Sequence, residues 1–191
     1  MPSGRTHDRI TVWSVPLIVG LTYGVTRSGQ LTVLVMIAFL FSGLMFGPDL
    51  DIYSVQYKRW GWLRWIWIPY RSLIRHRSVL SHGFLIGTLL RLVYLSLIAG
   101  IVLGILIAIA ALAGYLNIQQ LAKLSEALTF SQKHYGQTFL ALLIGLELGA
   151  MSHYLSDWIG SRYKQLQKSK TRSRPTHNAR SKNPKKKKSK L

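Results

Sequence analysis

The sequence predicts an all-α integral membrane bundle of four helices, with an aromatic and basic segment at the membrane interface and a disordered basic C-terminal tail. Three observations predict it. Apolar residues make up 49% of the 191-residue chain but are gathered into runs 10–26, 31–46, 83–114 and 138–159. The last three approach or exceed the roughly 20 residues that cross a hydrocarbon core. Cations are segregated as well: 25 Lys and Arg stand against 6 Asp and Glu, and they collect between the second and third runs and after the fourth. Tryptophans collect in the same places, as Trp13, Trp158 and the group Trp60, Trp62, Trp65 and Trp67, where an amphipathic ring is best accommodated at a membrane surface.

The first run carries Pro16, Gly20, Thr22 and Gly24 and follows Arg5 and Arg9. No small-residue cleavage site comes after it, so it reads as a retained helix rather than a signal peptide. The second run is expected to end at Pro48, which cannot continue a helix. Behind it lie Lys58, Arg59, Arg64, Arg71, Arg75 and Arg77. Because short basic loops stay in the cytoplasm, this loop and the tail are expected inside. The loops 27–30 and 115–137, with only Arg27, Lys123 and Lys133, are expected outside, which leaves both termini cytoplasmic. The stretch "RWGWLRWIWIPYRSLIRHR" is expected to rest on the bilayer, rings toward lipid and cations toward head groups. Residues 1–160 are expected to form one membrane-embedded domain, and 161–191 a separate tail. With thirteen Lys or Arg and no acid, the tail has too little to bury to fold. It is expected to touch anionic lipid head groups. Its sole aromatic is Tyr163, so it lacks the stacking residues of a nucleic-acid binder.

This topology brings the scarce polar residues to one face. His7 precedes the first helix, Asp49 and Asp51 of "GPDLD" follow the second, His76 and His82 precede the third, and His153 and Asp157 end the fourth. His153 and Asp157, at i and i+4, share a helical face and can point at one ion. His76 and His82 are six apart, which on a continuous helix would set them about 120° from each other, so "HRSVLSH" should be a loop with Ser78 or Ser81 as the N-cap of the next helix. Asp49 and Asp51 project to opposite sides: one can ligate while the other orients a histidine or takes a proton, and these two are the candidate catalytic carboxylates. His7, Asp49, His76, His82, His153 and Asp157 are the candidate ligands. Imidazole and carboxylate without sulfur suit a divalent ion, Zn or Mn foremost. The bland reading of the cluster is hydrogen bonding between helices without metal. His134 and His177 fall outside the pattern. Arg91 and Glu147, each the sole charge within its apolar run apart from Asp157 at the end of the fourth, are expected to pair across the third and fourth helices, since an unpaired charge at depth costs at least ~2.5 kcal/mol. The absence of cysteine excludes disulfides and thiolate chemistry, and no GxSxG elbow or Walker loop is present.

The order "TH" (6–7), "GPDLD" (47–51), "HRSVLSH" (76–82) and "GAMSHYLSD" (149–157) resembles the bacterial membrane-bound metal-dependent hydrolases, and more closely their branch of metal-binding membrane proteins without an assigned reaction. The likeness spans residues 1–160. The broader family tends to HRxxTH, one residue shorter than "HRSVLSH". The resemblance implies that these histidines and aspartates are metal ligands. A more distant likeness in ligand pattern, HxxxD included, is to the helical zinc-dependent phospholipase C, which implies a phosphoester or lipid substrate. Two functions are therefore expected: metal-assisted hydrolysis with Asp49 or Asp51 as proton acceptor, or non-catalytic metal binding for sensing, storage or scaffolding. An open coordination position beside a cleft separates the first from the second.

Overall fold

The computed structural model describes residues 4–76, 78–115, 117, 119–120, 122–123, 126 and 135–172. Every regular element among them is helical: α1 (Gly4–Thr26), α2 (Gly29–Leu44), a 3-10 turn Pro48–Asp51, α3 (Val55–Arg59), a 3-10 segment Gly61–Trp67, α4 (Ile68–Leu73), α5 (Val79–His82), α6 (Ile86–Leu112) and α7 (Gly136–Arg172). Three stretches are long and apolar enough to cross a membrane, Gly29–Asp51, Ile86–Leu112 and Gly136–Gln167. The expectation of four is met for three. At 23 residues α1 has the length, ~34 Å at 1.5 Å per residue, but Arg5, Asp8, Arg9, Pro16 and its hydroxyl residues dilute its apolarity.

The bundle proper is α1, α2 and α7. Helix α7 lies against α2 along small residues: a Cβ on Gly145 would stand 2.5 Å from the Val35 carbonyl oxygen, and one on Gly149 2.5 Å from that of Phe39. Only glycine permits this approach, and "GLELG" is the GxxxG spacing by which apolar helices bring their backbones together. Helix α1 closes on α2 where Thr11 covers Gly43. Thr11 Oγ1 also lies 3.4 Å from Ser152 Oγ on α7. Helix α6 stands apart. Its start packs on α5, but none of its most apolar window is buried within the chain, the pattern of a helix that is hydrophobic all round.

Helix α2 ends at Leu44, before Pro48, which instead opens the 3-10 turn as its first residue, a position its fixed φ suits. The orphan carbonyls at the end of α2 are taken by side chains from the aromatic segment: Gln56 Nε2 donates to Gly43 (2.9 Å), Arg59 Nη1 to Leu44 (2.8 Å) and Trp60 Nε1 to Met45 (2.9 Å). Each would otherwise be left unpaired at the end of an apolar helix, where water is scarce. Arg59 also makes a bidentate pair with Asp8, which raises the guanidinium pKa further and fixes the start of α1.

The aromatic segment differs from expectation in one respect. Trp62 and Trp65 are exposed, but Trp67 is buried in a cluster with Phe46, Leu50, Tyr57 and Tyr70. It meets Phe46 and Tyr70 edge-on, and aromatic rings packed this way form a core. The segment is thus part of the fold as well as surface. The tail boundary also moves: α7 continues through Arg172, because residues 161–172 contain no Gly or Pro and are rich in Lys, Gln and Arg, good helix formers. Residues 173–191, with His177, and His134 in the loop before α7 lie outside the described residues.

Candidate metal centre

The face of α7 that carries Gly145 and Gly149 continues at the same spacing to His153 and Asp157. The glycines press on α2. The next two side chains pass beyond its end and meet the turn Pro48–Asp51. There His153 Nε2 lies 3.3 Å from Asp49 Oδ2 and 3.9 Å from Asp157 Oδ2. His7, one helical turn before Thr11, stacks on the His153 ring with centroids 4.0 Å apart, and its Nε2 is 3.4 Å from Asp157 Oδ1.

The turn sends its second carboxylate elsewhere. Asp51, its side chain 0% exposed, receives His76 Nδ1 on Oδ1 at 2.8 Å. His82 Nδ1 is 2.8 Å from Ser81 Oγ. Both imidazoles therefore keep Nε2 for a ligand, the orientation that hydrogen-bonded partners impose on metal-binding histidines. The six candidate ligands fall into two groups, His7–His153–Asp157 and Asp49–His76–His82, and within each the ligand atoms lie within 4.8 Å of one another. Asp51 belongs to neither group. Ser78 occupies the N-cap position, but of the one-turn α5 and without a side-chain cap bond, and α6 begins only at Ile86.

The donor atoms fit an ion on a second ground. His153 is 3% exposed, yet neither of its ring nitrogens has a hydrogen-bond partner among the described residues, and the same holds for His82 Nε2 and His7 Nδ1. Buried polar atoms are nearly always partnered. Burial also pushes the His82 pKa below its ordinary value, with His76 and His153 adding to the effect and Asp51 and Asp49 opposing it, so the ring is neutral near pH 7 and its lone pair available.

A model of the family described as "Uncharacterized metal-binding protein (DUF2227)" matches residues 2–167. The chain belongs to that family. A protein of Aquifex aeolicus (strain VF5), described as "Uncharacterized protein", is 37% identical over 60 residues, 31% of this chain and 42% of that protein. The chain thus matches less than half the length of that curated relative. No solved structure matches. In this metal-binding family member, the two groups of donors are the described side chains able to hold an ion.

A cleft of about 280 Å³ opens onto the groups, lined by His7, Asp49, His76 and Asp157 together with Tyr53 and Lys58. Asp49 and Asp157 are about one-fifth exposed, whereas His82 and His153 lie behind the lining. Lys58 Nζ sits 4.7 Å from the Tyr53 ring centre. A groove of about 320 Å³ between α1, α2 and α7 is lined by residues such as Leu21, Val25, Leu140 and Ile144 and by no ionisable side chain.

The expected Arg91–Glu147 ion pair is not formed. Arg91, fully buried, donates to the Ser81 carbonyl (3.2 Å) and to Thr88 Oγ1 (3.0 Å) and lies over the Phe46 ring. Glu147 Oε1 accepts from Leu85 N at 3.0 Å. Each charge reaches the bend 81–85 from its own helix, because that bend exposes backbone groups that only side chains can satisfy. Sequence reasoning also missed Ser81 as the partner of His82, Lys58 in the cleft, and Gly145 and Gly149. The GxxxG spacing was available for the last two, and the adjacency of Ser81 to His82 for the first.

Proposed function

We propose that this family member is a membrane-bound metal-dependent hydrolase whose site takes a phosphoester or similar lipid-like anion at the membrane surface. The observation that carries it is the cleft: potential ligands line it together with a lysine, so an ion held there has access to solvent and substrate. A bound divalent ion, Zn or Mn, would supply a water of lowered pKa and polarise the ester oxygen. Lys58 would hold the anion. Asp49 and Asp157, both lining the cleft, would hold the ion or take the water proton, and Asp51 would keep His76 oriented rather than touch substrate.

A second reading, non-catalytic metal binding, rests on the number of donors. Six protein ligands closing on one ion would leave no position for water. Turnover of bis-p-nitrophenyl phosphate and of phosphatidic acid by the full chain in lipid, with and without chelator, decides between them. Chelator-sensitive hydrolysis, with KM raised in Lys58→Ala, is expected; ion-loaded protein that turns over neither substrate favours the second reading.

The same proposal places α1 as a fourth span and the site on the cytoplasmic face, supported by the cations between α2 and α6 and by the way α1, α2, α6 and α7 bring their ends to one site. Reporter fusions after residues 30 and 125 should be extracytoplasmic and one after residue 75 cytoplasmic. A cytoplasmic reporter at 125 would overturn this topology. The basic tail would adsorb to anionic lipid in a salt-dependent manner.

A further inference from the structure

We propose that the site holds two ions, joined by Asp49. His7, His153 and Asp157 form one position, His76 and His82 the other, and the Asp49 carboxylate spans both. The inference rests on the reading of the chain as a metal binder and adds the number of ions and the bridge.

Three observations carry it. First, the donors are built as two units from different parts of the fold. One comes from α1 and α7, the other from the turn after α2, the segment leading into α5 and the last residue of α5, and each closes within 4.8 Å on its own. Asp49 belongs to the second unit, yet its Oδ2 lies 3.3 Å from His153 Nε2 of the first. A carboxylate has two oxygens and can give one to each ion, as paired ions about 3.5–4 Å apart require.

Second, each unit contains a buried imidazole nitrogen that makes no hydrogen bond among the described residues, Nε2 of His153, which has only carboxylates at 3.3 and 3.9 Å beside it, and Nε2 of His82. His153 is only 3% exposed. His76 and His82 already have Nδ1 engaged by Asp51 and Ser81, which commits Nε2 of both rings to their own unit.

Third, the coordination count favours two ions. Zn accepts about four ligands, and six protein donors on one ion overfill it. Divided between two ions with Asp49 shared, the same donors give one ion four protein ligands and the other three, which leaves the second a position for solvent. Two divalent ions carry formal charge +4 against −3 from Asp49, Asp51 and Asp157. With Lys58 in the lining of the cleft, the site is left positive and suited to an anion.

The test is metal content and magnetic coupling in the full-length protein, purified in detergent, stripped by chelation and saturated with Mn²⁺. The expected result is two ions per chain and a low-temperature electron paramagnetic resonance spectrum of an exchange-coupled pair. His82→Ala and His7→Ala should each lower the count to one and leave an isolated-ion signal. One ion per wild-type chain, or two ions with uncoupled signals, would overturn the bridge while leaving metal binding intact. No bound ion would remove the metal reading itself. Because the decisive measurement is on the wild type, poor folding of a variant cannot mask the outcome.

Discussion

Asp51→Asn separates a carboxylate that positions a ligand from one that binds the ion. The substitution keeps the shape of the side chain and removes its charge. Asp51 is fully buried, its Oδ1 is 2.8 Å from His76 Nδ1, and its Oδ2 has no partner among the described residues. An asparagine oxygen still accepts the His76 proton, but a charge-assisted hydrogen bond is roughly twice as strong as a neutral one. Loss of such an outer partner typically lowers metal affinity by about 10–100-fold, or ~1.4–2.8 kcal/mol. The amide nitrogen that replaces Oδ2 is a buried donor without an acceptor, costing a further ~1–3 kcal/mol of fold stability whether or not metal is present. Thermal unfolding of the metal-free protein reads the second effect, and competition with a fluorescent chelator reads the first. His76→Ala removes the ligand itself, so the double variant should bind no more weakly than His76→Ala alone. An affinity in Asp51→Asn within about threefold of wild type, well short of the stated range, would refute the role. So would an additional loss on top of His76→Ala, since Asp51 would then act on the ion by another route.

Other substitutions probe the supports of the site. Gly149→Ala places a Cβ 2.5 Å from the Phe39 carbonyl oxygen, so α7 must move away from α2 at a cost of ~1–3 kcal/mol, measurable by unfolding in detergent; Gly20→Ala, with nothing within 4 Å, should be neutral or stabilising, and equal stability of the two would contradict the close approach. Glu147→Gln retains an acceptor for Leu85 N–H and should resemble wild type, whereas Glu147→Leu should lose ~1–3 kcal/mol. Adding Arg91→Leu should not rescue Glu147→Leu, because the two residues serve different partners; rescue would reinstate the ion pair. Burial lowers the His82 pKa, so the unfolded chain takes up this proton more readily, and metal-free protein should lose stability as pH falls below ~6.5. His82→Gln should flatten that limb of the pH–stability curve, and an unchanged limb would assign it to another group.

Much of the site was legible in the sequence because helical periodicity and topology do not depend on detail. His153 and Asp157 share a face by spacing alone, and antiparallel helices necessarily bring the start of α1, the end of α2 and the end of α7 together. The two-residue separation of Asp49 and Asp51 suggested opposite sides, as in an extended turn, but Pro48–Asp51 is a 3-10 turn, and Asp49 shares a group with the same His76 that Asp51 bonds. The aromatic segment was less legible. Its tryptophans satisfy the rule for interfacial residues equally well whether they face lipid, as Trp62 does, or fill a core, as Trp67 does. Composition cannot distinguish these when a core is assembled at the membrane surface. Arg91 and Glu147 were misjudged because the charges were weighed only against each other. The competing partners are backbone groups of the bend 81–85, and backbone polarity carries no signature in the residue types.

That bend links the membrane helices to the chemistry. Leu85 adopts φ +60°, a conformation that costs a residue with a Cβ about 1–2 kcal/mol, and it stands at the N-cap position of α6. Glu147 holds its amide from α7, and Arg91 holds the Ser81 carbonyl from α6 itself. Helix α6 also rests on the aromatic cluster through Leu90, Leu92, Tyr94 and Leu95, and Tyr94 donates to the Ile66 carbonyl, while its apolar length beyond the first turns is unburied. The two buried charges add to that packing in seating α6. In doing so they also fix Ser81 and His82, which lie between the two hydrogen bonds. The position of one candidate ligand is thereby tied to the seating of a transmembrane-length helix. A rotation or shift of α6 that broke either hydrogen bond would release His82 from its group, while His7, His153 and Asp157, carried by other helices, would stay in place.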